Sequence, residues 1–402
     1  MKIVFELGHV LLGALLLALA VGSNTAFVGS APNGSLVLRP VPGQQVLVDG
    51  VAFQSLLEQI NQLNRKLSNH LAGLQCNAAA ADTTSIVGLG GTDMWFDGVA
   101  APNGKIYGIP HNANAVLIMD PASNTVDITS IVVSNGGYSW AGGVLAGNGK
   151  IYGMPSNGNA VLVIAPSTNA VDYTSVTVPN GSYKWNFGVL AGNGKIYGVP
   201  YYVNSVLVFD PATNATDTTS MSGLEDGFLG KWFVGALAGN GKIYCLPAHA
   251  STVLIIDPDT DTTDTTSITG LPSGHKWFGG VLATNGKIYG IPRDTTSVLI
   301  IDPATNTADI TTIAGLSGAA AKWAGGVLAP NGKIYGMPLS ANSVLIIDPA
   351  TNTTDATSLT VPAGDFKWRG GVLADNGKIY GIPGRAGSAL IIHSTCTVTG
   401  GL

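Results

Sequence analysis

The sequence predicts an all-β fold, a seven-bladed β-propeller of four-stranded antiparallel blades, and three observations predict it. A block of about 45 residues occurs seven times. Each block reads as four short strands. The two ends of the repeat array supply each other's missing strand. The block is marked by a Trp and, twelve residues later, a Tyr. The tryptophans are Trp95, Trp140, Trp185, Trp232, Trp277, Trp323 and Trp368, and they account for every Trp in the chain. The tyrosines are Tyr107, Tyr152, Tyr197, Tyr244, Tyr289, Tyr335 and Tyr380. Near-constant spacing means one structural unit copied, with slack only in loops.

The fifth copy shows the strands most plainly. Gly279-Gly280-Val281-Leu282-Ala283 is a short apolar run, followed by Asn285-Gly286. Asn-Gly tolerates positive φ at both central positions, so a type I′ hairpin is expected. Lys287-Ile288-Tyr289-Gly290-Ile291 returns and is closed by Pro292. Ser297-Val298-Leu299-Ile300-Ile301 is an apolar run short enough to be a strand buried on both faces. Asp302-Pro303-Ala304-Thr305-Asn306 is a turn, because Asp and Asn side chains bond their own backbone. Asp309-Ile310-Thr311-Thr312-Ile313 reads as a polar fourth strand. Sheets apolar on both faces must be covered on both, and radial packing achieves this with the polar strand at the periphery. The Gly pair suits the crowded centre. A stacked solenoid would need atypical capping repeats, and none is visible.

The ends support closure. Asp82-Thr83-Thr84-Ser85-Ile86 matches a fourth strand but precedes the first Trp, and the last copy stops after Ala389-Leu390-Ile391-Ile392. An N-terminal outer strand therefore completes the last blade. Cys76 and Cys396 map to one turn across this closure, and a Cys76–Cys396 disulfide is expected. It would close a loop of roughly 320 residues and constrain the unfolded chain. Cys245 stands where other copies carry Gly290 or Gly336 and reads as a buried free thiol.

A disulfide implies an oxidising compartment. Lys2 precedes an apolar stretch from Val10 to Val21, with Ala18-Leu19-Ala20 as a cleavage site, so residues 1–26 read as a signal peptide. Secretion or a cell-surface location follows, with no membrane span after signal removal. Thr25-Ala26-Phe27-Val28 resembles the cleavage motif of bipartite plastid signals, which makes the plastid of a secondary-plastid alga the alternative address. Asn33, Asn180, Asn214 and Asn352 head Asn-x-Ser/Thr triplets and are the glycosylation candidates. Residues 27–50 are rich in Gly, Pro and Val, with a small hairpin expected between Leu36-Val37-Leu38 and Val46-Leu47-Val48. Residues 51–75 carry Phe53, Ile60, Leu67 and Leu74 at seven-residue spacing, with Leu56, Leu63 and His70 between. That pattern predicts an amphipathic helix, either a coiled-coil stalk that builds a homo-oligomer through residues 51–74 or a helix lying on the propeller. The propeller itself spans residues 76–402.

The run Lys105-Ile106-Tyr107, then Asn114-Ala115-Val116-Leu117-Ile118-Met119-Asp120-Pro121-Ala122-Ser123-Asn124-Thr125-Val126, resembles the YVTN-type β-propeller repeat. The NHL, SMP-30 and streptogramin-lyase propellers are more distantly similar. The resemblance covers about residues 82 to 396. It implies a surface or secreted propeller and no shared chemistry, and no counterpart of the lyases' catalytic histidine is identifiable, so no catalytic residue is carried over.

Enzyme signals are poor. The propeller holds one Glu, Glu225, and its histidines His111, His249, His275 and His393 occupy non-equivalent places. Asp97, Asp226, Asp294 and Asp365 show no spacing that singles out a carboxylate pair. There is no phosphate loop, nucleophile elbow or Cys/His metal cluster. Asp257, Asp259, Asp261 and Asp264 form an acid-rich turn without the Gly and terminal Glu of a calcium loop. No catalytic residue, metal or cofactor is expected.

The face where the first strands begin is more informative. The loop before each Trp and the loop between the second and third strands belong to one rim. Five copies carry Lys before the Trp: Lys184, Lys231, Lys276, Lys322 and Lys367. Each Trp either stacks a sugar ring or wedges between blades with its N–H satisfied locally; repetition in every copy favours the wedge, although Trp185, Trp232 and Trp277 remain rim candidates. The residues that differ between copies are the better ligand contacts, since loops on rigid scaffolds carry function: His111, Tyr201, Tyr202, His249, Arg293, Asp294 and Arg385. A net charge of −5 with 11% charged residues offers no basic field for nucleic acid. The sequence therefore points to a secreted non-enzymatic recognition module whose partner is a glycan or an extracellular protein. A structural scaffold and a propeller lyase or hydrolase are the alternatives.

Overall fold

The computed structural model describes residues 79–134, 137–224 and 230–394, together with the backbone of short strands at 3–5, 26–30, 36–40, 47–48, 51–52, 74–75 and 397–398. It divides into two compact units, residues 76–395 and residues 1–75 with 396–402.

The larger unit is a ring of seven four-stranded antiparallel sheets. Blade 1 runs Trp95–Ala100, Ile106–Pro110, Leu117–Asp120 and Thr125–Asp127, and blades 2 to 6 repeat it, each opening on its Trp. Blade 7 takes Trp368–Leu373, Lys378–Pro383 and Leu390–His393, and its fourth strand is Ala80–Asp82 from the start of the array. Ile391 pairs with Asp82 and His393 with Ala80. The expected closure by an N-terminal outer strand is what the chain does.

Burial grades from centre to edge as the sequence implies. Second strands are buried at every residue except Lys378 of blade 7, and fourth strands begin exposed. Apolar clusters lie between neighbouring blades; one joins Tyr107 and Ile109 of blade 1 to Trp140 and Leu162 of blade 2. The glycines let the innermost strands close together. A Cβ on Gly143 would lie 2.6 Å from the Val99 Cγ2 of the preceding blade. Each Trp is the wedge. All seven are at most 3% exposed, and each indole N–H donates to a carbonyl just before the third strand of its own blade, as Trp277 does to Ser297 at 2.9 Å.

Two local expectations are corrected. The Asn-Gly turn is not type I′. Gly286 has φ +78°, but Asn285 is not among the positive-φ residues. Gly286 N–H bonds the Ala283 carbonyl and Ala283 N–H bonds that of Lys287, the pattern of a type I turn closed by a left-handed Gly. The Asn is committed elsewhere: its Oδ1 accepts from Lys287 N–H, and its amide donates to the Tyr289 hydroxyl and to the Pro349 carbonyl of the next blade. The Tyr hydroxyl joins this latch by donating to Asn352 Oδ1 at 3.0 Å. The fourth strand is also shorter than expected. It is Thr307–Asp309, and residues 310–313 form a bend. Asp309 Oδ1 accepts from the amides of Thr311 and Thr312, which turns the chain out of the sheet.

In the smaller unit, Leu36–Pro40 pairs with Ala26–Ser30 and Ile3–Phe5, while Leu47–Val48 pairs with Val51–Ala52. The two apolar runs expected to form one hairpin thus pair with other segments. Gln75 lies opposite Thr397. The helix expected over residues 51–75 falls outside the described residues except at its ends, where Val51–Ala52 and Leu74–Gln75 are strands. Cys76 and Cys396 also lie outside them.

Candidate binding funnel on one face of the ring

The two rim loops are tied together by a collar of backbone hydrogen bonds. The residue before each Trp accepts from the second-to-third-strand loop of its own blade and donates to that loop of the preceding blade. Lys276 N–H, for instance, bonds the Ala248 carbonyl, and the Lys276 carbonyl accepts from Arg293 N–H. The last link is Met94 N–H to the Gly384 carbonyl at 2.9 Å, which closes the collar.

The five lysines belong to this collar, not to a ligand surface. They are buried. Lys276 Nζ donates to the carbonyls of Ala248, Ala250 and Gly274 at 3.0, 2.9 and 3.2 Å. Burial pulls the Lys276 and Lys184 ammonium groups down to about 8. Blades 1 and 2 carry Met94 and Ser139 in this place.

In five of the seven blades the residue two before the Trp carries a side chain at a conformational cost; blade 4 has Gly230 there and blade 5 has His275, which is not left-handed. Asp93, Tyr138, Tyr183, Ala321 and Phe366 all have φ between +51° and +61°. A left-handed backbone at a residue with a Cβ costs about 1 kcal/mol. Neighbouring loops hold several of them: Asn157 Oδ1 accepts from Tyr183 N–H at 2.7 Å, Asp294 Oδ1 from Ala321 N–H at 2.5 Å, and Ser340 Oγ from Phe366 N–H at 3.2 Å. Strain of this kind, maintained by surrounding contacts, is a mark of functional sites.

These residues, those after each Trp and the variable loops make one aromatic belt. From blade 7 it runs from Arg385 over Phe366 (4.6 Å) to Arg369, which lies over Phe96 (5.0 Å). Phe96 then meets His111 (4.7 Å), His111 meets Tyr138 (4.7 Å), Tyr138 meets Tyr183 (6.1 Å), and Tyr183 meets Tyr202 (5.2 Å). Tyr202 stacks on Tyr201, which abuts Phe233, which stacks on Phe278 at 4.0 Å. Arg293 lies over Phe278 at 4.7 Å, and His275 and His249 end the belt, 3.8 Å apart. Blade 6 contributes Ala321, Ala324 and Leu339 instead, leaving a gap between the arginines of blades 5 and 7. Phe96, Phe187 and Phe233 approach one another within 5.9 Å and form the floor.

The charges on this face are paired. Asp93 accepts from Arg369 at 2.6 Å and from Arg385 through two nitrogens at 3.1 Å. Burial pushes the Asp93 carboxyl up, but the two guanidinium groups outweigh it and hold the carboxyl below its usual value. Arg293 pairs with Asp294 at 2.5 Å. His111 is 4% exposed, and burial pulls it down to about 4 against the bond to Trp140. Its Nδ1–H donates to the Trp140 carbonyl at 2.6 Å, so the neutral ring presents Nε2 as an acceptor. Burial, with His249 and Arg293 nearby, likewise lowers His275 to about 4.

Of the residues expected from sequence, His111, Tyr201, Tyr202, His249, Arg293, Asp294 and Arg385 come together in the belt. Trp185, Trp232 and Trp277 are 0–1% exposed and offer no face to a ligand. The belt contains residues that sequence reasoning passed over: Asp93, Phe96, Tyr138, Tyr183, Phe278, Phe366 and Arg369. Their signal was present, since the positions just after and two before each Trp vary among the copies. The acid-rich turn serves the scaffold: Asp257 pairs with Lys242, Asp261 accepts from the Tyr197 hydroxyl, and Asp264 caps Thr266 and Ser267. Cys245 is buried and free, and burial raises its thiol pKa. Asn180, Asn214 and Asn352 are exposed. Asn33, Glu225 and Asp226 lie outside the described residues.

No protein-family model and no curated protein matches the sequence. Solved structures do match in fold. A streptogramin B lyase superposes with TM-score 0.63 at 11% identity, over 78% of this chain and 97% of that one. The hydrazine synthase of Kuenenia stuttgartiensis gives TM-score 0.56 at 13% identity, over 76% and 97%. The extracellular domain of BT3049 from B. thetaiotaomicron gives 0.53 at 10% identity, over 76% of this chain and 40% of that one. The chain shares the seven-bladed fold with proteins of unrelated activity, so function must be argued from the funnel.

Proposed function

We propose that the protein is a secreted or cell-surface recognition module that binds glycans in the funnel without chemically altering them. The observation that carries this reading is the aromatic belt at non-repeated positions, with Arg369, Arg385, Arg293 and His111 set among its rings. Aromatic faces cover the C–H faces of sugars, while guanidinium groups donate to hydroxyls and His111 Nε2 accepts from one. Rigid rings presented on a closed scaffold lose little entropy on binding. The apolar stretch near the N-terminus, the proposed Cys76–Cys396 disulfide and the residue pattern that resembles YVTN repeats support secretion. A glycan array probed with the purified protein tests the reading. Binding to defined sugars that Arg369→Ala abolishes supports it, and an array blank for the folded protein overturns it.

The lyase alternative draws on one observation, the locked tautomer of His111 beside Arg369, which is also how a general base is held. It predicts turnover of the bound sugar, whereas the recognition reading predicts recovery of the sugar unchanged by mass spectrometry.

A further inference from the structure

Beneath the phenylalanine floor lies a cavity of about 210 Å³ in the central channel, lined by Phe187, Val234, Phe278, glycines of the innermost strands, and Asp97. The seven copies provide an internal control. Two residues after the Trp, the other blades carry Gly142, Phe187, Val234, Gly279, Gly325 and Gly370. Only blade 1 places a carboxylate there.

Asp97 is not a scaffold residue of the kind seen at the outer strands. Its Oδ2 accepts from Gly143 N–H at 3.3 Å, and among the described residues no Lys, Arg or His forms an ion pair with it. It packs against backbone on its other side, where a Cβ on Gly370 would lie 2.5 Å from its Oδ1. It is one of the residues that line the cavity. Burial pushes its carboxyl up to about 7, against the amide hydrogen bonds of Gly98 and Gly143. An enclosed carboxylate without a counter-charge is costly, and a chain that keeps one in a cavity has placed a charge where a cation can meet it.

The walls decide which cation. A Ca²⁺ ion carries two charges and favours several carboxylate ligands, whereas Asp97 is the one carboxylate among the residues that line the cavity, which suits a single positive charge. The Phe187 ring lines the cavity and attracts an organic cation through its π system; Phe278 adds only apolar wall, because Phe233 and Arg293 cover its ring. We infer that the channel cavity is a binding site for a small alkylammonium group, with Asp97 as its counter-ion and Phe187 and Phe278 as its walls. The site borders the funnel at Phe187 and Phe278, but it does not rest on the glycan reading.

The test is thermal melting of the full-length protein and of Asp97→Asn in methylammonium chloride, with NaCl and CaCl₂ at matched ionic strength, at pH 8 and pH 5. The expected result is a saturable rise in Tm with methylammonium at pH 8, reduced at pH 5 and absent in Asp97→Asn. No other titratable side chain lines the cavity, so the pH arm reads Asp97 even if the variant does not fold. The inference is overturned by a rise no larger than with NaCl, by an equal rise in Asp97→Asn or at pH 5, or by a rise with CaCl₂ alone. Glycan binding scored separately on Arg369→Ala keeps a failure here distinct from a failure of the funnel reading.

Discussion

The side-chain amide of Asn376, in blade 7, donates to the carbonyl of Pro121, in blade 1, at 3.2 Å. Asn103 of blade 1 gives the same bond to Pro166 of blade 2 at 3.1 Å. The chain-closing contact is therefore one more copy of the contact that joins every other pair of blades. Tyr380 repeats it, with its hydroxyl donating to the same Pro121 carbonyl.

Removing this latch should cost stability wherever it is done. Asn376→Ala leaves the Pro121 carbonyl and the Tyr380 hydroxyl short of a partner, and about 1–3 kcal/mol is expected. Urea denaturation checks the value, and Asn285→Ala, between blades 5 and 6, should match it.

The collar lysines should be structural. Lys276→Ala removes the ammonium donor from the Ala250 and Gly274 carbonyls and one of the two donors to the Ala248 carbonyl, and is expected to destabilise by about 2–4 kcal/mol. Lys276→Met should recover part of the loss, because Met94 fills the same place in blade 1. A shift of the urea midpoint with glycan binding retained is the predicted combination.

Acid should unfold the ring through its outer bends. Asp82, Asp172 and Asp355 are held down to about 2, chiefly by the hydroxyls of Ser85, Ser175 and Ser358. Their folded values lie below the unfolded one, near 3.8. The stability they contribute is therefore present above about pH 4. It is lost as pH falls toward 2. Circular dichroism of Asp355→Asn should show a stability-versus-pH slope below pH 4 that is shallower than wild type.

The strained rim residues should separate function from stability. Tyr183 has φ +51°, so Tyr183→Gly relieves the backbone while removing a ring from the belt. Its melting temperature should stay near or above that of wild type, within about 1 kcal/mol, while glycan affinity falls at least tenfold. A large loss of stability would mean that the ring packs as scaffold.

The cysteine pair remains a proposal. Gln75 pairs with Thr397, and Cys76 and Cys396 are the next residues inward along each segment. Peptide mapping without reductant should recover them as one linked peptide; two free thiols would remove the staple.

The scaffold was legible because repetition exposes it. Trp and Tyr at fixed spacing, the Gly pair and the apolar third strand each announced a structural role that the fold then uses. Turn chemistry was less legible. Asn285 fits a type I′ turn locally, but its side chain serves the neighbouring blade, and that contact spans 64 residues. The fourth strand was read too late because Asp309 bends the chain that its Thr-rich neighbours would extend. At the funnel, the varying loops pointed to His111, Tyr201 and Arg293. Phe96, Arg369 and Tyr183 escaped because they sit beside the repeated Trp, where constancy drew attention from the variation next to it.

The central claim is that the funnel, and not the repeated surface, recognises a glycan. Isothermal titration of one array-positive oligosaccharide into wild type, Arg369→Ala and Thr311→Ala tests it most directly. Saturable binding that survives Thr311→Ala, on the outer edge, and disappears with Arg369→Ala is the predicted result. Binding that survives Arg369→Ala, or that is lost with Thr311→Ala, would contradict it.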